Sequence, residues 1–336
     1  MHIKKWDFPG SLWQNKLPLH PIRKQGTNIL MKYAIIGTGA VGSYYGGKLA
    51  HAGCDVHFLL HSDYEYVNLH GMQIDSCDGS FHLDHPQVYH DTAEMPQADV
   101  VIVALKTTRN HLLKQLLPPL LHKETLVLLI QNGIGPEPEL QKQFPELYLA
   151  AGLAFICSSK TEPGRVNHQC YGSINIGNYS CKNLQVMERL IADFNQAGVK
   201  AYEVEYHEAR WKKAVWNMSF NGMTVALNTQ TDQLLANPAT RELIHRQMLE
   251  VIGAAQAVGV QNIDDSFADR MIEMTLNMTP YSPSMKLDFD FHRPMEIEYL
   301  YSHAIAEAHS VGYSMPCLEM LEAELKFIEA SYLKSR

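Results

Sequence analysis

Three features that would each indicate a different class of protein are missing from this sequence of 336 residues: long hydrophobic runs, paired cysteines and an excess of basic side chains. No segment approaches the roughly 18 apolar residues that a membrane span needs. The net charge of -8 argues against a nucleic-acid surface. With 46% hydrophobic and 19% charged residues, the composition is that of an ordinary globular protein. We therefore expect a cytoplasmic protein, a monomer or homodimer, with a small molecule as its ligand.

Disulfides and metal sites are not indicated either. The six cysteines are Cys54, Cys77, Cys157, Cys170, Cys181 and Cys317. They form no C-x-x-C pair, and a chain of this length can build a core without disulfides, so we expect reduced thiols. The closest histidine pair, His82 and His85, has no cysteine or H-E-x-x-H pattern nearby. We expect no bound metal.

Residues 1–30 lack the patterns of a folded element. They are rich in lysine and arginine, show no periodic apolar pattern and contain no hydrophobic core of a secretion signal. Met31 resembles a natural start, because the first clear strand follows directly. We interpret residues 1–30 as a loose arm or an upstream extension and exclude them from the fold.

The clearest motif in the chain is a strand that leads into glycines spaced G-x-G-x-x-G and then into a helix. Its six residues are Gly37, Thr38, Gly39, Ala40, Val41 and Gly42. In a dinucleotide site the first glycine makes the tight turn, the second lets the backbone approach a pyrophosphate, and the third lets helix and strand pack closely. A second strand, residues 55–60, completes a β-α-β unit of about 30 residues. The motif therefore predicts a nucleotide site.

Repeated strands and helices after this unit predict an α/β fold, with a doubly wound parallel sheet at the N-terminal end. Ligands bind such sheets at the carboxyl ends of the strands, where His61, Lys106 and Asn132 lie in this sequence. The pattern alone equally allows Lys106 and Asn132 to be ordinary turn residues. We predict a dinucleotide-binding domain over residues 31–205 and an all-helical, substrate-binding domain over residues 206–336.

A helix predicted over residues 208–227 is apolar on most of its circumference. Lys213, Asn217, Asn221 and Thr224 share one arc of about 80 degrees, whereas Lys212 lies on the apolar side. A helix of this kind is buried, so its polar stripe needs internal partners or a wet cavity. The alternative is a solvent-facing stripe, but asparagine forms helices poorly and is an unusual choice for an exposed face. We favour a cavity lining.

Two later segments contain further polar candidates. Residues 279–288 read as a proline-punctuated loop that includes Ser284, and Pro294 is expected to start the next helix. Glu296 and Glu298 then fall in the first turn of that helix. A carboxylate there has a simple alternative explanation, because it complements the helix dipole.

From Met31 to its end, the sequence resembles the ketopantoate reductase family. The matching motifs, in the family's order, are the glycine fingerprint at 36–42, Leu105-Lys106, Gln131-Asn132-Gly133-Ile134-Gly135, Trp211-Lys212-Lys213 with Asn217 and Asn221, Ser284-Met285 with Asp288, and Glu296-Ile297-Glu298-Tyr299. The resemblance implies NADPH-dependent reduction of 2-dehydropantoate to pantoate, a step toward coenzyme A.

The resemblance also implies a role for each matching residue. Lys213 would be the general acid, and Glu296 with Asn221 would contact the substrate hydroxyl. Ser284 and Asn217 would contact the carboxylate or orient the substrate, and Lys106 and Asn132 would lie near the cofactor. The chemistry agrees for Lys213, because hydride addition to a ketone develops negative charge on oxygen and a partly desolvated lysine can donate the proton.

The coenzyme contact at the second strand departs from the family pattern. NAD sites usually have an acid at this strand tip, whereas NADP sites have an arginine nearby. Here the tip is Leu60-His61-Ser62-Asp63, with His61 where the family most often has arginine. His61 and Ser62 can donate to a phosphate, so we expect NADPH, while Asp63 next to the tip is the one residue there that would favour NAD.

Two other functions remain open from the sequence. The chain could be an NAD(P)-dependent reductase of another small 2-oxo acid, since a few side chains of the helical domain select the substrate. It could instead be a non-catalytic NADPH sensor, which the joint presence of Lys213 and Glu296 disfavours.

Overall fold

The structure is a computed structural model that describes residues 30–280 and 282–333. Residues 1–29 of the predicted arm lie outside this part of the chain. The described chain divides into two compact units, each treated separately below. The first comprises residues 30–131 and 137–206, and the second comprises Asn132–Pro136 together with residues 207–333.

The first unit is built on a mixed sheet whose strands alternate with helices. Its strands are β1 (Lys32–Ile36), β2 (Asp55–Leu59), β3 (Met72–Ser76), β4 (Phe81–Leu83), β5 (Gln87–Tyr89), β6 (Val100–Val103), β7 (Leu126–Leu129), β8 (Tyr148–Glu162), β9 (Arg165–Asn178) and β10 (Ala201–Val204). Its helices are α1 (Ala40–His51), α2 (Tyr64–His70), α3 (Leu113–Leu116), α4 (Pro136–Gln143) and α5 (Leu184–Gln196). Strand order is β4-β3-β9-β8-β7-β6-β1-β2-β5, and β10 pairs with β9.

The sheet is parallel from β5 to β8, as the alternating pattern predicts. It turns antiparallel where β8 and β9 form a long hairpin. Successive side chains of a strand point to opposite faces, and β1 supplies both cores accordingly. Tyr33 and Ile35 pack into the core on one face, while Ala34 and Ile36 pack into the core on the other. Burial on both faces explains why β6 and β7 are uninterrupted aliphatic runs.

The second unit is helical in its described residues, in agreement with the predicted fold class. Its helices are α6 (Tyr206–Ala226), α7 (Thr231–Ala236), α8 (Pro238–Ala257), α9 (Ser266–Leu276), α10 (Ser284–Asp290), α11 (His303–Ser310) and α12 (Pro316–Leu333). A π-helical turn, Glu298–Ser302, leads directly into α11. Among the residues described, none of the helices combines the length and the apolar composition needed to cross a membrane.

Helix α6 lies at the core of the second unit. Trp211, Val215, Met218 and Phe220 are fully buried along it. The π-helical turn packs on the same helix, since the Tyr301 hydroxyl donates a hydrogen bond of 2.6 Å to the Met218 carbonyl. A Cβ at Gly222 would lie 2.4 Å from that hydroxyl, so only glycine permits this approach. The residues just before the turn are thereby held beside α6.

Two local predictions in this unit are wrong. Residues 284–290 form helix α10 rather than loop. The Met285 amide in its first turn donates to the Asn221 side-chain oxygen at 3.2 Å, which satisfies one of the amides that a helix start leaves without a partner. No regular helix starts at Pro294, because residues 293–296 are held in an irregular path by two side chains of α12. Glu329 accepts from the Met295 amide at 2.6 Å, and the Tyr332 hydroxyl donates to the Arg293 carbonyl at 2.9 Å. Both departures come from side chains distant in sequence, which local patterns do not report.

Candidate active site

The glycine turn after β1 has the geometry that a nucleotide site requires. Gly37 has φ +91°, and a Cβ on it would lie 2.4 Å from the Leu105 amide nitrogen. A Cβ on Gly42 would lie 2.3 Å from the Gly37 carbonyl oxygen, so the third glycine lets α1 pack against the turn. At Gly39, by contrast, an added Cβ would meet no atom within 4 Å. The open space is at the glycine expected to face a pyrophosphate.

The start of α1 adds backbone amides to this turn. The Ser43 amide bonds the Gly39 carbonyl at 3.0 Å, so the amides of Ala40, Val41 and Gly42 come before the first helical hydrogen bond. Such amides, together with the helix dipole, favour an anion. Thr38 has a structural task, because its hydroxyl donates to the Leu59 carbonyl at 2.5 Å and joins the turn to the end of β2. The residues present thus fit a dinucleotide.

At the tip of β2 the three residues His61, Ser62 and Asp63 differ in exposure. His61 and Ser62 are exposed, whereas Asp63 is buried. The Asp63 carboxylate accepts a 2.9 Å hydrogen bond from the Gly164 amide and forms an ion pair with Lys160. Burial raises the pKa of Asp63, but the Lys160 and Gly164 hydrogen bonds outweigh it and keep that pKa below its usual value. Asp63 therefore serves the fold, and the accessible residues at the tip are His61 and Ser62.

The ends of β6 and β7 position the next two candidates. Half-buried Lys106 follows β6 and immediately precedes a 3-10 turn, Thr107–Leu112. Gln131, part of the family motif but given no role from the sequence, fastens the two strand ends together. Its side-chain nitrogen donates to the Leu105 carbonyl at 2.8 Å and to the Asn110 side-chain oxygen at 2.7 Å. Its position directly after a buried strand is the sequence feature that could have identified Gln131.

Asn132 belongs to a short segment that docks on the π-helical turn of the second unit. The Ile134 amide donates to the Tyr299 carbonyl at 2.8 Å. Gly133 has φ +92°, and a Cβ there would lie 2.3 Å from the same carbonyl oxygen. A π-helical turn often marks a functional site. Here it gives the Asn-Gly-Ile-Gly motif a docking surface and fixes the position of half-buried Asn132.

The polar stripe of α6 is an interior feature. Asn217, Asn221 and Thr224 are 8%, 3% and 0% exposed, so the stripe is not a solvent-facing surface. Thr224 satisfies its hydroxyl within the helix by donating to the Phe220 carbonyl at 2.8 Å. Lys213 alone among these four keeps partial solvent access. A partly exposed lysine next to buried amides is an arrangement suited to a polar ligand.

Burial is the largest of the effects that lower the pKa of Lys213, to about 7. The positive charge of Arg210 lowers it further, and the Glu296 carboxylate opposes both effects. Arg210 is 3% exposed and was missed by the sequence reasoning. On a helical wheel Arg210 lies about 60 degrees from Lys213, inside the arc that also contains Asn217 and Asn221. That position is the sequence feature that could have identified it. Near neutral pH, Lys213 can both hold and release a proton.

Glu296 and Glu298 differ in a way that a helix-dipole role does not explain. Glu296 is 6% exposed, and its charge acts on Lys213. The Glu298 side chain is 73% exposed and lies 3.8 Å from His303. A dipole role would leave both carboxylates in water near the helix start. Burial singles out Glu296 as a carboxylate held close to the lysine.

Asn221 joins Ser284 to the same group of residues. Its side-chain oxygen accepts from the Met285 amide, and its side-chain nitrogen donates to the Asn217 carbonyl at 3.0 Å. Half-buried Ser284 is the first residue of α10, directly before that bonded amide. The second unit therefore brings together Lys213, Asn217, Asn221, Ser284 and Glu296, whereas Gly37 to Gly42, His61 and Lys106 belong to the first unit.

Comparisons with known proteins agree with this arrangement of motifs. The profile described as "Ketopantoate reductase PanE/ApbA" matches residues 33–180, and the one described as "Ketopantoate reductase PanE/ApbA C terminal" matches residues 205–329. A 2-dehydropantoate 2-reductase from Nostoc sp. is 45% identical over 304 residues, covering 89% of this chain and 95% of the relative.

Solved structures share the fold. The crystal structure of 2-dehydropantoate 2-reductase from Geobacter metallireducens GS-15 has a TM-score of 0.85 and 38% identity, covering 88% of this chain and 99% of that one. A structure of D-mandelate dehydrogenase with NADH and anilino(oxo)acetate has a TM-score of 0.81 and 22% identity, covering 90% of this chain and 99% of that one. The second likeness concerns the fold alone.

Lys212, which lies on the apolar side of α6, forms a buried ion pair whose loss should destabilise the fold. Its ammonium lies 2.5 Å from Glu208, whose other carboxylate oxygen accepts from Asn262 at 2.8 Å. Removing one partner of a buried pair strands the other charge, so Lys212→Met should lower the free energy of unfolding by about 3 to 5 kcal/mol. Denaturant titration followed by circular dichroism measures this.

The matched control is Lys326→Met, which removes an exposed lysine with the same i, i+4 spacing to a glutamate, Glu322. Its effect should stay below about 1 kcal/mol. Equal losses in the two variants would contradict the structural role given to Lys212.

Proposed function

The chain belongs to the ketopantoate reductase family, and on that premise we propose that it is an NADPH-dependent 2-dehydropantoate 2-reductase. In this proposal it reduces the ketone of 2-dehydropantoate to the hydroxyl of pantoate, a step toward coenzyme A. Residues 31–205 bind the coenzyme, and residues 206–336 bind the substrate. The observation that carries the proposal is Lys213, with a pKa near 7 on a buried helix and the buried Glu296 carboxylate acting on it.

Lys213 is the proposed general acid. The bound nicotinamide coenzyme supplies the hydride that adds to the ketone carbon, and negative charge then develops on the ketone oxygen. Lys213 donates its proton to that oxygen, and its positive charge stabilises the transition state before the proton is transferred. A pKa of about 7 suits this task, because about half of the lysine is protonated at neutral pH and the ammonium gives up its proton readily.

The remaining polar groups of the second unit suit the other ends of the substrate. A 2-oxo acid brings a carboxylate, which the Ser284 hydroxyl and the Asn217 amide can bind by donating hydrogen bonds. Asn221 directs one N–H to the Asn217 carbonyl, and an amide group has a second N–H to offer the substrate hydroxyl. Glu296 accepts a hydrogen bond from that hydroxyl. In each role a donor or acceptor of the protein faces a group of the substrate of the opposite kind.

The coenzyme preference follows from the tip of β2. A free acid at this position would bind the ribose 2′-hydroxyl of NAD and repel the 2′-phosphate of NADP. Asp63 is engaged by Lys160 and the Gly164 amide, so exposed His61 is left to contact a phosphate, and Ser62 can join it by turning its hydroxyl away from Asp63. Lys106 in the first unit and Asn132 in the second are the proposed further neighbours of the coenzyme.

The experiment that tests the whole proposal is a substrate panel run with both coenzymes. Oxidation of NADPH or NADH is followed by absorbance with 2-dehydropantoate and with 2-oxoisovalerate, which lacks the hydroxyl. We expect the highest kcat/KM for 2-dehydropantoate with NADPH. A clear preference for 2-oxoisovalerate would identify a different 2-oxo acid reductase, and binding of NADPH without turnover would identify a sensor.

Lys213→Met tests the general acid. The change removes the proton donor but keeps the apolar stem, so kcat should fall by at least about a hundredfold while coenzyme affinity changes little. In the parent protein the rate of reduction should fall as the pH rises through about 7, because Lys213 then loses its proton. The variant should lose this dependence.

Lys212→Met is the positional control for that experiment. Measured per folded molecule, its turnover should stay near the parent value, since Lys212 is paired with Glu208. If Lys212→Met abolished turnover while Lys213→Met kept it, the catalytic assignment would be wrong.

Glu296→Ala tests recognition of the substrate hydroxyl. A buried hydrogen bond to a charged group is worth about 1.5 to 3 kcal/mol, so 2-dehydropantoate should lose at least about tenfold more kcat/KM than 2-oxoisovalerate. Both substrates should also lose some activity, because Glu296 supports the protonated form of Lys213. Glu298→Ala, at an exposed carboxylate, is the control. Equal losses on both substrates would refute the recognition role.

His61→Glu tests the coenzyme assignment. A carboxylate at this exposed tip should repel the 2′-phosphate and bind the ribose hydroxyl, which reverses the preference toward NADH. His70→Glu adds the same charge at another exposed position of the first unit and should leave the kcat/KM ratio of the two coenzymes unchanged. Equal efficiency of NADPH and NADH in the parent protein would contradict the assignment.

A further inference from the structure

Three metal-ligating side chains meet in the first unit, outside the residues assigned to coenzyme or substrate. Cys77 and Asp78 follow β3, and His168 lies on β9. One ligand atom from each of these residues lies within 4.8 Å of the others. Cys77 and Asp78 are exposed, whereas His168 is 1% exposed. The Cys77 amide donates to the His168 carbonyl at 3.0 Å, which holds the two segments together.

The His168 ring is oriented so that one nitrogen can accept. Its Nε2 lies 3.1 Å from the Cys170 carbonyl, which can only accept, so Nε2 bears the hydrogen. Nδ1 therefore carries the accepting lone pair, to which Ser76 Oγ donates at 2.9 Å. Metal-binding histidines commonly donate their other N–H to a carbonyl in this way. The Tyr44 ring, 4.3 Å away between centroids, packs against the imidazole and restricts its rotation.

The spacing of the two best-defined ligand atoms matches a tetrahedral metal. Metal–ligand bonds of about 2.3 Å to sulfur and 2.1 Å to nitrogen put the two ligand atoms about 3.6 Å apart. In the structure, Cys77 Sγ lies 3.9 Å from His168 Nδ1. A small rotation of the exposed Cys77 side chain would close the difference between 3.9 Å and about 3.6 Å. The exposed Asp78 carboxylate can likewise rotate toward the ion. The Ser76 hydroxyl would rotate away, at the cost of one hydrogen bond.

We propose that Cys77, Asp78 and His168 bind a divalent transition metal ion of the zinc type, with water as fourth ligand. Bonds form from the ion to sulfur, carboxylate oxygen and Nδ1, and the Cys77 thiol proton passes to solvent. Thiolate and carboxylate together neutralise the two positive charges. The bound ion ties the turn after β3 to β9. Sequence patterns do not reveal this site, because His168 lies 91 residues from Cys77.

Cobalt(II) titration tests the proposal without relying on enzyme activity. The full chain is treated with a chelator, kept reduced and titrated with Co²⁺ alone, and the sulfur-to-cobalt charge-transfer absorbance is recorded. We expect one equivalent to bind with this absorbance, and Zn²⁺ to displace it. Cys77→Ser should abolish the absorbance, and Asp78→Asn and His168→Ala should weaken affinity by at least about tenfold.

Controls separate the site from the other thiols and histidines. Cys170→Ser, Cys317→Ser and His82→Gln should each keep the absorbance and the affinity, and circular dichroism checks that every variant is folded. Because Cys77 and Asp78 are exposed, their variants remain informative even if His168→Ala misfolds. The proposal fails if the absorbance survives Cys77→Ser or depends on Cys170. Weak binding that is equal in all variants would mean an adventitious ion only.

Discussion

Desolvation of one lysine ammonium is the constraint around which the second unit is arranged. Helix α6 is apolar on nearly all sides, so the fold can bury it only by surrounding Lys213 with protein. Removing an ammonium from water disfavours its charged form, and Arg210 adds to that effect from one turn earlier. The buried Glu296 carboxylate limits the shift. The proposed chemistry needs this balance, because an acid that is too weak or already deprotonated would not serve.

Glycines allow the backbone to approach where polar groups must be positioned. Gly37 and Gly42 bring the first turn, the start of α1 and the residue after β6 into contact, leaving space only at Gly39. Gly133 performs a similar task in the second unit, where the chain meets the Tyr299 carbonyl of the π-helical turn. A side chain at any of the three contact positions would push these backbones apart. Close backbone packing thus supports both proposed binding sites.

Ion pairs explain why charged residues with similar patterns differ in role. Asp63 stands where an acid would select NAD, yet Lys160 and the Gly164 amide hold its carboxylate in the fold. Lys212 and Lys213 are neighbours, but Glu208 engages the first while the second keeps partial solvent access. The separation is physical in origin, since a buried charge is tolerated only with a partner: Lys160 and Gly164 are distant in sequence from Asp63, whereas Glu208 lies one turn before Lys212 on the same helix.

The sequence by itself determined the fold class, the glycine turn and the buried helix with its polar stripe, because each depends on local spacing: period two for strands, 3.6 for helices and fixed offsets for glycines. Long-range contacts decided the rest. The Asn221 side chain caps the first turn of α10, where the local pattern predicts a loop, and side chains of α12 hold the residues around Pro294 in an irregular path. The meeting of Cys77 with His168 joins residues far apart in the chain. Only tertiary structure brings such partners together, since nothing in the local sequence around either residue identifies the other.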